Sequence, residues 1–293
     1  MSLVVQIGQA VLDGLLVGGV YALVAAGLTM IFGVMRFINF AHGALLMAGM
    51  YTAYWVWTLA GISPYLSLPL TCAVLFLLGA VIERTLVHPL LDAPEHNQLL
   101  LTLGLMLLLE NLALFLFSPD FRTVRLESLE GALAVGPFLL NRPRLIAFVG
   151  AILISTGLYF LLQRTDLGRR IRATAQDRDG AQLVGINVKS IYVITFGIGA
   201  ACAGVAGALI TPYFYTAPHV GSVFLLMAFV VVVLGGLGNF IGALVGGLMV
   251  GVAESVGALL LPGSLKGLIP FALFVLVLFY RPTGLFGGGS HVA

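Results

Sequence analysis

Two acids, Glu110 and Glu254, stand inside apolar runs of a chain that is 60% hydrophobic and only 9% charged. An acid at the centre of a membrane helix costs roughly 2.5–3.5 kcal/mol on insertion scales, so each must face a helix contact or a wet cavity. Glu254 shares a helical stripe with Gly242, Gly246 and Val250; Glu110 shares one with Thr102 and Met106, with Asn111 beside it. Hydrogen bonding between helices is the plainer expectation for both, and contact with a transported substrate the sharper one. A third polar group, Asn39 to Gly43 with His42 in it, follows an apolar run interrupted by Gly33. Asn39 is a residue of N-cap type for a helix running on through Ala44 to Tyr54. A helix that starts inside a membrane aims free N–H groups and a positive dipole end at whatever fills the gap, as transporters do for a substrate carboxylate. The alternative is that Asn39 and His42 only satisfy each other and freed backbone groups at a kink. The residues weigh the two readings equally.

Reaction chemistry is otherwise missing from the sequence, and no catalytic residues are assigned. No H-E-x-x-H, G-x-S-x-G or pair of carboxylates at a common depth occurs, and the nearest approach to a phosphate-binding loop, Gly185 to Ser190, lacks the glycine before Lys189. ATP is therefore not bound here by such a loop, and any ATP that drives the protein is hydrolysed by another subunit. Cys72 and Cys202 carry no metal spacing and are expected to be small packing residues.

These groups must be positioned by spanning helices. Apolar runs of about 20 residues recur at 65–87, 97–117, 144–162, 190–211, 222–235, 239–260 and 265–280. Residues 3–60 hold two helices plus an extra broken segment. The expected fold is an all-α, polytopic transmembrane bundle of about eight or nine spans with at least one broken helix, over residues 1–293 as a single domain. The first residues have no basic n-region and no cleavage site of signal-peptide type. The 37 glycines include pairs four apart, Gly14/Gly18, Gly242/Gly246 and Gly247/Gly251, which let helix backbones approach closely. Asp13 shares a face with Gln6 and Gln9 near the interface. A second interruption, Pro212, Pro218 and Gly221, then Gly235 to Asn239, raises a two-half repeat that the sequence alone does not align.

Nine of the 26 charges lie in Arg164–Lys189, six of them basic. A loop so polar lies in water, and its arginine excess puts it on the cytoplasmic side. Counting crossings from it makes residues 88–96 and Arg281 cytoplasmic and 118–143 extracytoplasmic, while the N-terminal side is left open by 3–60. In the outer loop, residues 123–126 and 132–135 around Gly131 are expected to pair as a short hairpin. In the inner loop, 173–186 has helix formers and ends at Gly185, a residue of C′ type.

Asp179-Gly180-Ala181, with Gly185 four residues on, resembles the (Glu/Asp)-x-Ala-x-x-x-Gly loop of ABC importer permeases. Gly27-Leu-Thr-Met-Ile-Phe-Gly33-Val-Met-Arg36-Phe-Ile-Asn39-Phe-Ala-His42-Gly43 looks like the N-terminal signature of branched-chain amino-acid ABC permeases. Leu234-Gly-Gly-Leu-Gly-Asn239 and Arg281-Pro-Thr-Gly-Leu-Phe-Gly287 look like later signatures of that family, in family order. The resemblance covers about residues 8–287 and, by length and short tail, favours the H-type over the longer M-type subunit. One departure is Asp179-Gly180, where Glu-Ala is the commoner pairing.

The resemblance implies a permease that pairs with an M-type partner and two cytosolic ATPases. It accepts substrate from an extracytoplasmic solute-binding protein in the bacterial inner membrane, and has no cofactor of its own. It also implies that Arg172, Asp177, Asp179, Ala181, Gln182, Gly185 and Ile186 couple to the ATPases. Asn39, His42, Gly43, Glu110 and Glu254 are the residues expected along the substrate path. Competing readings are the same class with urea, short amides or polar amino acids as cargo, or a lone secondary transporter, which would bring down no ATPase on copurification.

Overall fold

A computed structural model describes residues 3–126, 129, 131–262, 265 and 267–287. Glu127 and Glu130, two of the three acids of the 118–143 loop, lie outside the described residues. The helices are α1 (Leu3–Met35), α2 (His42–Ala60), α3 (Leu68–Ile82), α4 (Glu95–Phe117), α5 (Arg142–Arg164), α6 (Asp166–Gln176), α7 (Arg178–Leu183), α8 (Val188–Ile210), α9 (Val220–Gly235), α10 (Phe240–Leu260) and α11 (Leu268–Tyr280). A π turn (Glu83–Val87) and a 3-10 turn (His88–Leu90) extend α3. Six of these segments, α1, α3 with its extension, α4, α5, α8 and α10, are long and apolar enough to cross a membrane; α9 and α11 are shorter apolar helices.

The N-terminal tract is two helices, but its break lies elsewhere than expected. Gly33 sits within α1, which runs unbroken to Met35, and Arg36–Ala41 is the irregular segment, with Arg36 at φ 55°. Asn39 is not the N-cap of α2: that position is Ala41, and Asn39 Oδ1 instead accepts from Ala41 N (3.0 Å). The short amide therefore closes a local turn rather than a helix end. The hairpin also forms with a different partner. Strands β1 (Ala132–Val135) and β2 (Phe138–Asn141) pair antiparallel with Val135 opposite Phe138, around Gly136 at φ +59°. Residues 123–126 are not in it; positive φ at Gly136 makes the tight turn that Gly131 was expected to make.

Helices α1 and α8 are the buried centre, while α3, α4, α5 and α10 turn much of their apolar surface outward. The expected glycine pairs interlock: Gly14 lies against Gly251 and Val252, and Gly18 against Gly247 and Leu248, so α1 and α10 run antiparallel with backbones in contact. Helix α3 meets α8 in the same way, with Leu75 at Gly204 and Gly79 at Ala200. A pattern of long helix, break, shorter helix and long helix thus occurs twice, α1–α2–α3 and α8–α9–α10, and the two copies exchange their third helices. At the centre the contacts are reciprocal, Gly27 with Gly199 and Gly43 with Gly221. Cys202 is buried as expected, but Cys72 is exposed on α3.

The side of the N-terminus follows from one side chain. Gln9 donates to Leu139 O (2.8 Å) and accepts from Leu139 N (3.0 Å), so α1 begins on the hairpin face, opposite the Arg164–Lys189 loop.

Candidate functional site

Three separated signature segments converge on the Arg164–Lys189 face. Asn239 Oδ1 accepts from Gly242 N (2.8 Å) and so caps α10, while its Nδ2 donates to Phe286 O (2.9 Å). Leu285 N and Phe286 N donate to Leu234 O and Gly235 O (2.9 and 3.1 Å), which lays the C-terminal segment along the end of α9. Gly236 (φ +103°) and Gly284 (φ +84°) abut each other there, and Gly33 of α1 approaches Gly238. A cleft of about 490 Å³ opens beneath, between this knot and α6, lined by Gly33, Gln163, Arg172, Asn239 and Phe286 among others.

The charged loop is two short helices rather than the single 173–186 helix expected. Asp177 breaks it because its carboxylate is an N-cap, accepting from Asp179 N and Gly180 N (3.0 and 3.1 Å). A Cβ at residue 180 would lie 2.6 Å from Asp177 Oδ2, so glycine where alanine is commoner makes room for this cap. The chain leaves α7 by a Schellman turn: Ile186 N donates to Ala181 O, Gly185 N to Gln182 O (both 3.0 Å), and Gly185 has φ +83°. Ala181 is buried and anchors α7, whereas Leu183 and Val184 are 89% and 76% exposed at its tip. Two bare apolar side chains on a capped, polar turn form a small exposed apolar knob. Arg172 Nη1 donates to Leu162 O, tying α6 to α5. Arg178 Nη1 reaches Asp92 Oδ1 (2.6 Å) in the 88–96 loop, and that hydrogen bond and charge hold the Asp92 carboxyl below its usual pKa.

Deeper in, both short helices begin at the centre of the bundle. His42 Nε2 lies 3.0 Å from Val24 O, eleven residues before the end of α1, so α2 starts about 16 Å up from that end. Its first turn meets that of α9 at Gly43 and Gly221, where a Cβ on either would stand 2.4 or 2.2 Å from the other's carbonyl oxygen. Asn39 and His42 are fully buried, and among the described residues Asn39 Nδ2 and His42 Nδ1 have no hydrogen-bond partner. The two side chains do not satisfy each other. At the α9 start, Ser222 Oγ donates to Glu110 Oε1 (2.9 Å) and His219 Nδ1 lies 3.2 Å from Glu110 Oε2. Glu110 is thus an interhelical acid placed at a positive helix end. Glu254 accepts from Tyr21 Oη (2.7 Å) at the edge of a second cavity, on the hairpin side.

The branched-chain amino acid transport system / permease component family matches residues 10–278. The chain belongs to that family. Among its relatives, the high-affinity branched-chain amino acid transport system permease protein BraD of Pseudomonas aeruginosa is 35% identical, with 95% of each chain covered. The corresponding permease protein LivH of Escherichia coli K12 is 31% identical, again over 95% of both. A probable branched-chain amino acid transport permease protein LivH of Methanocaldococcus jannaschii is 30% identical over 85% of this chain and 80% of its own. No solved structure matches the chain significantly. This is a multi-pass permease component of a transport system and not an enzyme.

Within this permease the structure groups the expected residues into three places. Arg172, Asp177, Asp179, Gln182, Gly185 and Ile186 share the Arg164–Lys189 loop with the buried Ala181. Asn39, His42, Gly43 and Glu110 surround the meeting point of α2 and α9, and Glu254 lies apart from them. Sequence reasoning passed over Leu183 and Val184, although apolar residues inside a charged loop were a visible signal. It also passed over Glu83, buried in the extension of α3 and 3.1 Å from His88 Nδ1. The Tyr21–Glu254 bond had no signal, because the partners are remote in sequence.

Proposed function

We propose that this chain is one permease of an ATP-driven importer for branched-chain amino acids, paired with a second, M-type permease. Two cytosolic ATPases power it and an extracytoplasmic binding protein supplies its cargo. The observation that carries this reading is full-length relatedness to permeases whose names specify branched-chain amino acid transport. ATP is bound and hydrolysed by the ATPase subunits, and this chain needs no cofactor. The arginine excess of Arg164–Lys189 assigns that loop to the cytoplasm, with the N-terminus and hairpin outside and the C-terminus inside.

Coupling runs through α6 and α7. Leu183 and Val184 seat in a groove of the ATPase, and the capped turn carries its movement to α5 through Arg172, while the exposed Arg178–Asp92 pair only steadies it. The Asn239 knot then passes it to α1, α9 and α10. Gly43 against Gly221 is the seal of the path, and alternating access separates the starts of α2 and α9. Asn39 and His42, with polar atoms unpartnered at that seal, meet the cargo only while it is open. Copurification with the ATPases and uptake of labelled leucine by the reconstituted assembly test the reading; an assembly that lacks ATPases, or transports urea and not leucine, defeats it. Orientation has its own test. A cysteine at Asp179 should react with an impermeant maleimide only in opened cells, and one at Ala134 from outside; labelling of residue 179 in intact cells reverses the topology.

A further inference from the structure

We infer that the cavity on the hairpin side, walled by α1, α5, α9 and α10, is a binding site for the zwitterion of a branched-chain amino acid. Arg144 takes the carboxylate, Glu254 the ammonium group, and Val20, Phe224 and Met227 the aliphatic side chain. The inference rests on the transport reading above and gives the cargo a place within this chain.

The cavity measures about 350 Å³, at the small end of the roughly 300–1,000 Å³ typical of small-molecule sites. Its wall is mostly apolar, yet charges of both signs line it, from helices that only the tertiary fold brings together. Tyr21 Oη donates to Glu254 Oε2 at 2.7 Å, and Arg144 lines the same cavity from α5. Arg144 is held in place twice. Its backbone N donates to Asn141 Oδ1 (3.1 Å), the cap of α5, and its guanidinium lies 5.9 Å from the Tyr213 ring centroid.

A lock between α1 and α10 explains Tyr21 with Glu254 but requires neither Arg144 nor an open space. A zwitterion requires all of them. Its two charges are costly to desolvate singly, and a guanidinium matches a carboxylate with two parallel hydrogen bonds. The depth also fits: Arg144 follows the hairpin directly, and Glu254 is in the last third of α10, so the cavity faces the side on which the hairpin lies.

Protection is measured on the whole reconstituted transporter without its binding protein, and uptake with the binding protein added, using Ser255→Cys as reporter in a Cys72→Ala, Cys202→Ala background. Ser255 lines the cavity. Millimolar L-leucine should slow its modification by a small water-soluble thiol reagent about threefold, which corresponds to two-thirds occupancy. Neither 4-methyl-2-oxopentanoate, which lacks the ammonium group, nor 3-methylbutylamine, which lacks the carboxylate, should slow it. Arg144→Gln and Glu254→Gln should each abolish protection and lower leucine uptake roughly tenfold, the effect of losing one charged hydrogen bond. If Glu254→Gln does not assemble, Arg144→Gln decides, because that side chain is partly exposed and its helix is capped through the backbone. Equal modification with and without leucine, or undiminished protection in Arg144→Gln, overturns the site. Leucine uptake by the unsubstituted transporter with residue 255 unprotected removes the site alone; absence of leucine uptake removes the transport reading itself.

Discussion

Helices α2 and α9 begin back to back, yet the polar groups at their two starts differ in kind. The α9 start receives a carboxylate, Glu110 from α4, bonded to Ser222 and facing His219. The α2 start receives, among the described residues, an amide that accepts from Ala41 N and an imidazole set against Val24 O. An acid already in place offsets the dipole of α9 and repels a second anion. The α2 start keeps its positive end, together with polar atoms on Asn39 and His42 that have no partner among the described residues. The difference teaches that two helix starts at one depth are not equivalent: one already holds an acid, the other faces an amide and an imidazole.

The contact between the two starts is the place to break the comparison most severely. Gly43→Val and Gly221→Val each drive a side chain into opposing backbone, which cannot rotate away, at a cost of about 3 kcal/mol or more. Both variants should fail to accumulate in the membrane, as read by immunoblot of membrane fractions. Normal levels would mean that the seal has room, and the two starts would then be independent.

A remote change should separate the seal from the machinery that opens it. Gly185→Val forces a β-branched residue to φ +83°, about 1–2 kcal/mol of local strain in the turn after α7. Membrane level should stay normal while leucine uptake falls roughly tenfold and ATPase activity no longer responds to cargo. Unchanged uptake would reduce the loop to a topology signal.

The two starts themselves sharpen the contrast. Asn39→Leu orphans the buried Ala41 N–H, a loss of about 1–3 kcal/mol, and should cut uptake several-fold with ATPase docking intact. Glu110→Gln keeps an acceptor for Ser222 and should cost less than about 1.5 kcal/mol in thermal stability, with uptake within a factor of about two. The reverse order of effects would assign the substrate to the α9 start. A cysteine at 39 or 42 should be shielded by leucine in one state of the cycle; if no state exposes it to water-borne reagents, the break is structural. The smallest effect belongs to the Arg178–Asp92 tether. Both partners are largely exposed, so Asp92→Ala should change stability by about 0–1 kcal/mol and leave uptake near normal.

Legibility in the sequence followed the range of the interactions involved. Spans were visible because transfer of apolar side chains into a bilayer is a local property, and 97–117 and 239–260 fall within two residues of α4 and α10. The break near Asn39 was visible as a polar interruption, but its geometry was not, since a helix start depends on which carbonyls and amides find partners across the bundle. Gly14/Gly18 and Gly247/Gly251 were recognisable as packing motifs one by one. That each is the other's partner rests on α1 and α10 meeting over more than 220 residues of intervening chain.

The sequence by itself determined the helical class, the apolar spans, the charged loop, and the order of the signature segments. Hydropathy and charge act residue by residue, so a linear pattern suffices for them. Only the tertiary structure decided that α2 and α9 start nose to nose, and that the segments near Gly33, Asn239 and Phe286 form one knot. It also decided that Arg144 and Glu254 line one cavity. Glycine allows a close backbone approach without naming the partner, and a buried charge requires a counterpart without saying where in the chain it lies.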